Sequence, residues 1–560
     1  MKPPILFSVS NVYTRMAGGD EEAQEYVQKA TTYEITYWGR QGTRSYASGR
    51  RGFASAKKTR LVRFGGPGWF LTGWALIIKQ ALERRGYTVS MVDRRVKPEL
   101  EFQWPAPKLA PYPYQEEAAD ACVEAGRGIL EIPTGGGKTL IAAWIIQRLG
   151  VKTLYVVPNK LLLDQVSKDL RKDFGEDQVG YIGSGTFDVR NITVSTVQTL
   201  WARRDKEEVQ KLLAEVNCMI IDECHVVGSV RDYGTQYYKS VQKTSGVTRD
   251  RLGNMWYEIA RYCGAYYRFG LSATPGERKE IDGGVLRGVT GGMLMKLTAS
   301  KLIDEGYLAA PEVFMYYVDN ECRNASRMDL VDYQEMYKTN ILENQERNRL
   351  IADLCGAYAR SGKTVLVTVS RVEHGKRIIE LMQQQPHLDE SEYAFVYGST
   401  NKAERQEAIE RFIQKDVKVL VGTVFKMGFN VKNLDVILLA DAGRKQQNTE
   451  QRVGRVLRYF HGKRAIVIDF VDDDDSVSLQ HSLWRLRYYL SEPAFTVNLV
   501  GFDAEEMMKR KPFIFEGNLT RKGESSICVL DVEAAQSIPG AGKEDYKINA
   551  KIVNVGEVKV

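Results

Sequence analysis

Residues 128–149 constrain what this chain can fold into more than any other stretch. The apolar run Gly128-Ile129-Leu130-Glu131-Ile132 leads into Pro133-Thr134-Gly135-Gly136-Gly137-Lys138-Thr139, and then into Leu140-Ile141-Ala142-Ala143-Trp144-Ile145-Ile146. That is a buried strand, a glycine-rich turn and a helix start, the setting a phosphate-binding loop requires. Three consecutive glycines let the backbone wrap an anion and aim its N–H groups inward. The new helix adds the positive end of its dipole. Thr134, Gly135, Gly136 and Gly137 form the cradle, Lys138 reaches the β- and γ-phosphates, and Thr139 offers its hydroxyl to Mg²⁺. Ile132 stands where the strict pattern has glycine. The stretch reads as a nucleotide site.

At 560 residues the chain is too long for one core, and the length prior is about four domains. A net charge of +7 permits a polyanionic partner without demanding one. The seven cysteines are scattered with no C-x-x-C pair, which excludes a disulfide frame or a zinc site of ordinary spacing. No apolar run reaches the length of a membrane span and no signal-peptide pattern opens the chain, so a cytosolic compartment is expected.

Residues 1–105 read as a small α/β module. Tyr33 to Tyr37 and Thr59 to Phe64 have strand patterns, the residues from Leu71 to Leu82 recur at helical spacing, and Tyr87 to Val92 is another strand. Between Arg40 and Arg63 cations, among them Arg50, Arg51, Lys57 and Lys58, alternate with aromatics and no acid intervenes. Such a run suits phosphates and stacked bases, and equally a solvated basic loop. Trp104 to Pro113 is proline-rich and reads as a linker. Gln115 then heads a helix, where its amide is suited to reading adenine.

After the loop, Thr153 to Val157 is a buried strand, Asn159 caps the helix that holds Gln165, and Val194 to Thr199 ends a strand in Ser195, Thr196 and Gln198. Small hydroxyls and amides at these positions suit phosphate oxygens. Cys218 to Ile221 is an apolar strand ending in Asp222-Glu223-Cys224-His225. Asp222 is placed to hold Mg²⁺ and Glu223 to activate water; His225 reads as a coupling or packing residue. Leu271-Ser272-Ala273-Thr274 closes a further strand with two hydroxyls, and Thr298 to Leu308 reads as an amphipathic helix before a boundary.

A second α/β series follows. Strands at Val365 to Val369, Ala394 to Tyr397, Val417 to Val421 and Val436 to Ala440 are trailed by Ser370 and Arg371, by Thr400, by Thr423 with Gly428 and Asn430, and by Gln451 to Arg458. This series has no phosphate loop but supplies arginines, so one nucleotide shared by two domains is expected, with Arg455 and Arg458 stabilising charge on the transferring phosphoryl group. Asp472 to Asp475 reads as acid complementing the N-terminus of the helix from Ser476. The end of the chain, from about Glu492, is strand-rich.

In this order the motifs over residues 112–490 resemble the superfamily 2 helicases of the DExH kind. Tyr114-Gln115 is similar to the Q motif, Pro133–Thr139 to motif I and Val157–Gln165 to Ia. Val194–Thr199 is similar to Ic, Asp222–His225 to motif II, and Ser272-Ala273-Thr274 to motif III, which couples hydrolysis to domain movement. Val365–Arg371, Thr423–Asn430 and Gln451–Arg458 resemble motifs IV, V and VI. Thr298–Leu302, Val372–Lys376 and Val431–Leu434 further resemble the phage UvsW-type helicases. Cys224 makes the box neither DEAD nor DEAH, and Asn430 stands where many relatives carry Asp.

The resemblance implies an α/β fold of two tandem RecA-like parallel-sheet domains (residues 106–308 and 309–491), with the 1–105 module in front and a strand-rich extension, 492–560, behind. It implies ATP and Mg²⁺ as cofactors. Lys138, Asp222, Glu223, Gln451, Arg455 and Arg458 would be catalytic; Gln115 and Thr134–Thr139 would bind nucleotide, with Thr139 and Asp222 on the metal. Gln165, Ser195, Thr196, Gln198, Ser370, Arg371, Thr400 and Thr423, with Arg50, Arg51, Lys57 and Lys58, are the nucleic-acid candidates; His225, Ser272, Thr274 and Gly428 are the coupling ones. The expected activity is an ATP-dependent DNA helicase or translocase on single-stranded, forked or four-way DNA. The alternatives are an RNA helicase and the motor subunit of a restriction or nuclease assembly.

Overall fold

The computed structural model of the chain describes residues 2–44, 51–66, 68–227, 255–273, 280–318, 337–385, 388–423, 434–443, 446–457, 465–472, 476–501 and 550–553. The chain divides into two compact units, residues 1–132 with 137–296, and residues 133–136 with 297–560.

The first unit is built on an eight-stranded sheet. Its strand order is Thr186–Asp188, Val179–Gly183, Ile192–Thr196, Thr153–Val157, Cys218–Asp222, Tyr267–Ser272, Arg127–Glu131, Met293–Lys296. Only the first pair is antiparallel. Thr153–Val157, Ile192–Thr196 and Cys218–Asp222 are buried at every position. Helices cover both faces of such a sheet, which is why these strands read as unbroken apolar runs instead of alternating ones. Asn159 caps the helix Lys160–Phe174 as expected, its Oδ1 accepting from Leu162 N at 3.0 Å.

The N-terminal module lies in this same unit. Its five-stranded sheet runs Gly65–Gly66, Trp69–Leu71, Tyr13–Gly18, Ile5–Val9, Val89–Asp93, and the strands Thr32–Arg44 and Arg51–Arg63 pair with each other as a separate ribbon. Module and domain share one apolar core, in which Phe7, Phe70, Leu71 and Trp74 are continuous with Trp256, Ile259 and Ile221. Asn11 Nδ2 donates to Gly264 O at 2.8 Å, Trp74 Nε1 to Gly284 O at 2.8 Å, and the rings of Phe64 and Tyr257 meet edge to face at 5.1 Å. The segment expected to stand alone is therefore part of a larger body.

The proline-rich stretch expected as a linker is held down, Lys108 N donating to Asp173 Oδ1 at 3.1 Å, and the residues just before it form a strap. Glu101 N and Phe102 N both donate to Gly150 O, Asn217 Nδ2 donates to Glu101 Oε1 at 2.8 Å, and Trp104 packs between Phe102 and Phe174.

The second unit holds a second eight-stranded sheet, parallel throughout, in the order Tyr393–Val396, Val419–Gly422, Val365–Thr368, Val436–Leu439, Ala465–Asp472, Pro311–Val318, Thr496–Val500, Ala550–Val553. Two expected boundaries move. Thr496–Val500, assigned from sequence to an extension beyond 491, pairs with Pro311–Val318 and completes this sheet. At the other end, residues from 297 belong here, because Ser300 Oγ donates to Glu492 Oε2 at 2.5 Å and Ala309 N to Leu457 O at 2.7 Å. The helix expected over Thr298 to Leu308 is shorter, Ala299–Asp304; Thr298 caps it and Gly306, at φ +78°, follows its end.

Asp472 is a further correction. It ends the strand Ala465–Asp472 with a fully buried carboxylate that accepts from Arg347 Nε at 2.6 Å, so it is the anion of an interior ion pair and no helix cap. Asp473, Asp474 and Asp475 lie outside the described residues. Among the described residues no helix is long and apolar enough to cross a membrane.

Candidate active site

In a parallel sheet, ligands gather beyond the carboxyl ends of the strands. Arg127–Glu131, Tyr267–Ser272 and Cys218–Asp222 are neighbours in the first unit, so the phosphate loop, Ser272 and the acid pair emerge side by side. Ile132 is fully buried, which explains an apolar residue at the mouth of the loop. Gly135 at φ +95° and Gly137 at φ +78° take the left-handed conformation that side chains resist. Gly137 has a second reason to lack a side chain, since a Cβ would run into Gln115 Nε2. Gln115 is thus packed under the loop; its Oε1 accepts from Tyr112 N at 2.9 Å and its Nε2 donates to Tyr114 Oη at 3.3 Å. Lys138 begins the helix Lys138–Leu149, and its Nζ lies 3.4 Å from Ile132 O. Thr134 Oγ1 is buried with no hydrogen-bond partner among the described residues. A hydroxyl without a partner among the described residues, a lysine folded back on the loop and glycines in the left-handed region fit a bound polyphosphate.

Asp222 is 4% exposed, and burial, then the charge of Glu223, raises its carboxyl above the usual range, while Lys138 pulls it down. Glu223 turns the chain through the left-handed region at φ +51°, an uncommon position for a residue with a side chain. Glu223 Oε2 lies 3.3 Å from His225 Nδ1, and that nitrogen lies 3.0 Å from Ser272 Oγ. His225 and Ser272, expected as coupling residues, are brought together with the proposed base. Cys224 is buried against Gly270, which accounts for a small apolar residue in the box.

Thr139 and Asp222 supply oxygen donors of the kind Mg²⁺ takes when phosphates and waters complete its shell. Among the described residues no group of three or more His, Cys, Asp or Glu could hold a metal alone. Sequence reading missed Tyr155. It is fully buried opposite Ile220, with its phenol pushed up by burial and then by the neighbouring charge of Asp222. The signal was a polar-tipped ring in an otherwise apolar strand.

The nucleic-acid candidates are less uniform. Gln198 is exposed, donating from Nε2 to Pro158 O at 2.9 Å, and Gln165 is half-buried on its helix. Ser195 is fully buried and its hydroxyl is spent on the carbonyls of Ile182 and Thr196, so it shapes the turn and offers a strand nothing. Thr196 is the cap of the helix Val197–Ala202. Arg51, Lys57 and Lys58 lie on the strand Arg51–Arg63; Arg50, Thr274, Gly428, Asn430 and Arg458 lie outside the described residues.

In the second unit, Ser370 Oγ donates to Asp441 Oδ2 at 2.9 Å, and Arg452 grips both oxygens of Asp441 at 2.5 Å. Arg371 stacks over Tyr337, with its guanidinium 5.1 Å from the ring centre. Thr400 Oγ1 accepts from Tyr397 N at 3.0 Å and Thr423 N donates to Val396 O at 3.2 Å. Gln451 and Arg455 are buried on the helix Gln446–Val456. Asp441 and Arg452 were passed over in the sequence, though Asp441 follows an apolar strand much as Asp222 does.

Residues 108–277 match the family described as type III restriction enzyme, res subunit, and residues 346–460 match the helicase conserved C-terminal domain. The chain belongs to the superfamily 2 helicases. This helicase is related to the UvsW branch, hydrolyses ATP, and has the two RecA-like domains expected. It is 26% identical over 389 residues to the ATP-dependent DNA helicase uvsW of Enterobacteria phage T4, covering 65% of this chain and 69% of that one. It is 25% identical to the DNA 3'-5' translocase XPB2 of Sulfurisphaera tokodaii (68% and 85% covered), and 24% to the putative ATP-dependent RNA helicase L396 of Acanthamoeba polyphaga mimivirus (71% and 70%). Among solved structures, the type ISP restriction-modification enzyme LlaBIII bound to DNA shares the fold at TM-score 0.50 and 15% identity, over 75% of this chain and 33% of that one.

Proposed function

We propose that this helicase is a DNA motor that unwinds or remodels forked and four-way junctions in recombination, repair or fork rescue. The observation that supports ATP turnover is the convergence of Lys138, Asp222, Glu223, His225 and Ser272 on adjacent strand ends. Lys138 and the loop amides hold the triphosphate, and Glu223 takes the proton of the attacking water. Mg²⁺, held by Thr139 and Asp222, would neutralise charge on the phosphates. Arg455, with Arg458, would stabilise charge on the phosphoryl group in transfer. The Glu223–His225–Ser272 contact gives the chemistry a route to the backbone, because a change at Glu223 is felt on the neighbouring strand. Grip on the phosphate backbone makes such a motor indifferent to sequence and sensitive to salt.

DNA is favoured over RNA because two of the three relatives above are named for DNA. ATPase stimulation and strand displacement on single-stranded, forked and four-way DNA and on RNA test the reading. Branched DNA should stimulate most; a response to RNA alone would overturn it, and metal-dependent cutting would favour a restriction-assembly motor. Lys138→Ala should abolish turnover with the fold intact, and normal turnover in that variant would refute the site.

A further inference from the structure

The N-terminal sheet buries one face; the other packs against the core of the unit at one end, through Tyr13 and Leu71, and is open over the rest. Ile5, Phe7, Val9, Thr14, Met16, Phe70 and Val89 point into the core, so the alternate residues must point to the other face. Tyr13, at one end, packs against the core near Arg261 and Glu258; the open positions are Leu6, Ser8, Arg15, Ala17, Trp69, Ser90 and Val92, and none of these is a carboxylate. Asp93, on the alternate side of its strand, is paired with Arg95 at 2.7 Å.

One row crosses this face in register: Val92 opposite Ser8, Ser8 opposite Arg15, Arg15 opposite Trp69, Trp69 opposite Gly66. Trp69 is 40% exposed, an unusual cost for an indole. Its ring lies over Gly66, where a Cβ would meet Nε1 at 2.6 Å and Cε2 at 3.1 Å, and it is braced edge-on by Tyr13 at 5.2 Å and 88°. The indole is held in place by these two contacts while part of its surface stays open to solvent. Arg15 is exposed and makes no ion pair with any described residue; exposed Arg94 donates from Nε to Ser8 Oγ at 2.9 Å.

We infer that this face is a single-strand platform, on which Trp69 stacks a base while Arg15 and Arg94 take the flanking phosphates. A propped ring beside guanidiniums that have no carboxylate partner among the described residues complements unstacked bases and a polyanion. A duplex offers the ring no free base, so the occupant is single-stranded DNA. Because the module shares its core with the ATP-binding domain, a strand held here would be held by the body that carries Lys138. The proposal rests on the reading of the chain as a nucleic-acid motor.

Equilibrium binding of a fluorescent oligothymidylate and of a duplex of equal length to the full chain without nucleotide, beside DNA-stimulated ATPase, tests it. Trp69→Leu should weaken oligothymidylate binding about fivefold or more, Trp69→Phe should retain most of it, and basal ATPase should be unchanged in both. Arg15→Gln should lower the salt slope by about 0.7. Wild-type binding by Trp69→Leu and Arg15→Gln, equal losses for Leu and Phe, or equal losses on the duplex would overturn the platform. A wild type stimulated by DNA while those variants bind normally sinks the platform alone; a wild type deaf to DNA sinks the motor reading.

Discussion

At the scale of single residues, the second unit's interior is polar where its sequence gave little warning. His374 is fully buried on the helix Val372–Gln383, its Nε2 2.9 Å from Asn348 Oδ1 and its Nδ1 without a partner among the described residues. That pattern is a neutral imidazole donating from Nε2. Burial, then the charge of Arg347, pushes its pKa down to about 3 from 6.5. An unfolded chain takes up this proton below about pH 6.5 and the folded one does not, so the contribution to stability is complete above that pH and is lost as pH falls, at about 1.4 kcal/mol per unit. Urea denaturation at pH 6.5 and pH 5 should therefore show the wild type losing about 2 kcal/mol more than His374→Gln, which keeps a donor toward Asn348. Parallel profiles for the two proteins would refute a neutral buried histidine.

At the scale of elements, the turn after Cys218–Asp222 is packed on the strand Tyr267–Ser272. A Cβ at Gly270 would meet Cys224 Sγ at 2.9 Å and Cys224 Cβ at 3.0 Å, in the tightly packed floor of the acid pair. Gly270→Ala should cost about 1–3 kcal/mol and lower ATP turnover, because the turn that aims Asp222 and Glu223 must shift. Gly292→Ala, where nothing lies within 4 Å, should leave both unchanged in the same assays. The elements around this site were legible because their determinants are local: unbroken apolar runs for covered strands, glycines where φ is positive, Asn159 as a cap. What was not legible depended on partners far along the chain. Four aspartates in a row read as a cap, yet Asp472 is committed to Arg347, and only the fold brings them within 2.6 Å. Ser195 has the composition of a phosphate contact and the burial of a core residue, and spacing cannot tell the two apart. Trp104 to Pro113 reads as a linker because the bonds that hold it and the preceding Glu101 and Phe102, to Asp173, Gly150 and Asn217, leave no periodic trace.

At the scale of the molecule, the shared core of the first unit decides how the N-terminal module behaves. A module joined by a linker would unfold by itself, and its loss would leave the ATP site untouched. Here Phe70 and Phe7 are part of the same apolar cluster as Trp256 and Ile259, and Phe64 is wedged against Tyr257. Module and ATP-binding domain should therefore melt in one transition, and that transition should rise with nucleotide, since a ligand bound only by the folded state stabilises everything that unfolds with it. Phe70 is fully buried, so Phe70→Ala should remove about 3–5 kcal/mol from this transition although the residue is remote in sequence from the phosphate loop. Calorimetry of the wild type and Phe70→Ala, with and without a non-hydrolysable ATP analogue, checks this. A separate module transition that moves with Phe70→Ala and ignores nucleotide would show that the shared core does not couple the two, and that a strand held by the module is only tethered to the motor.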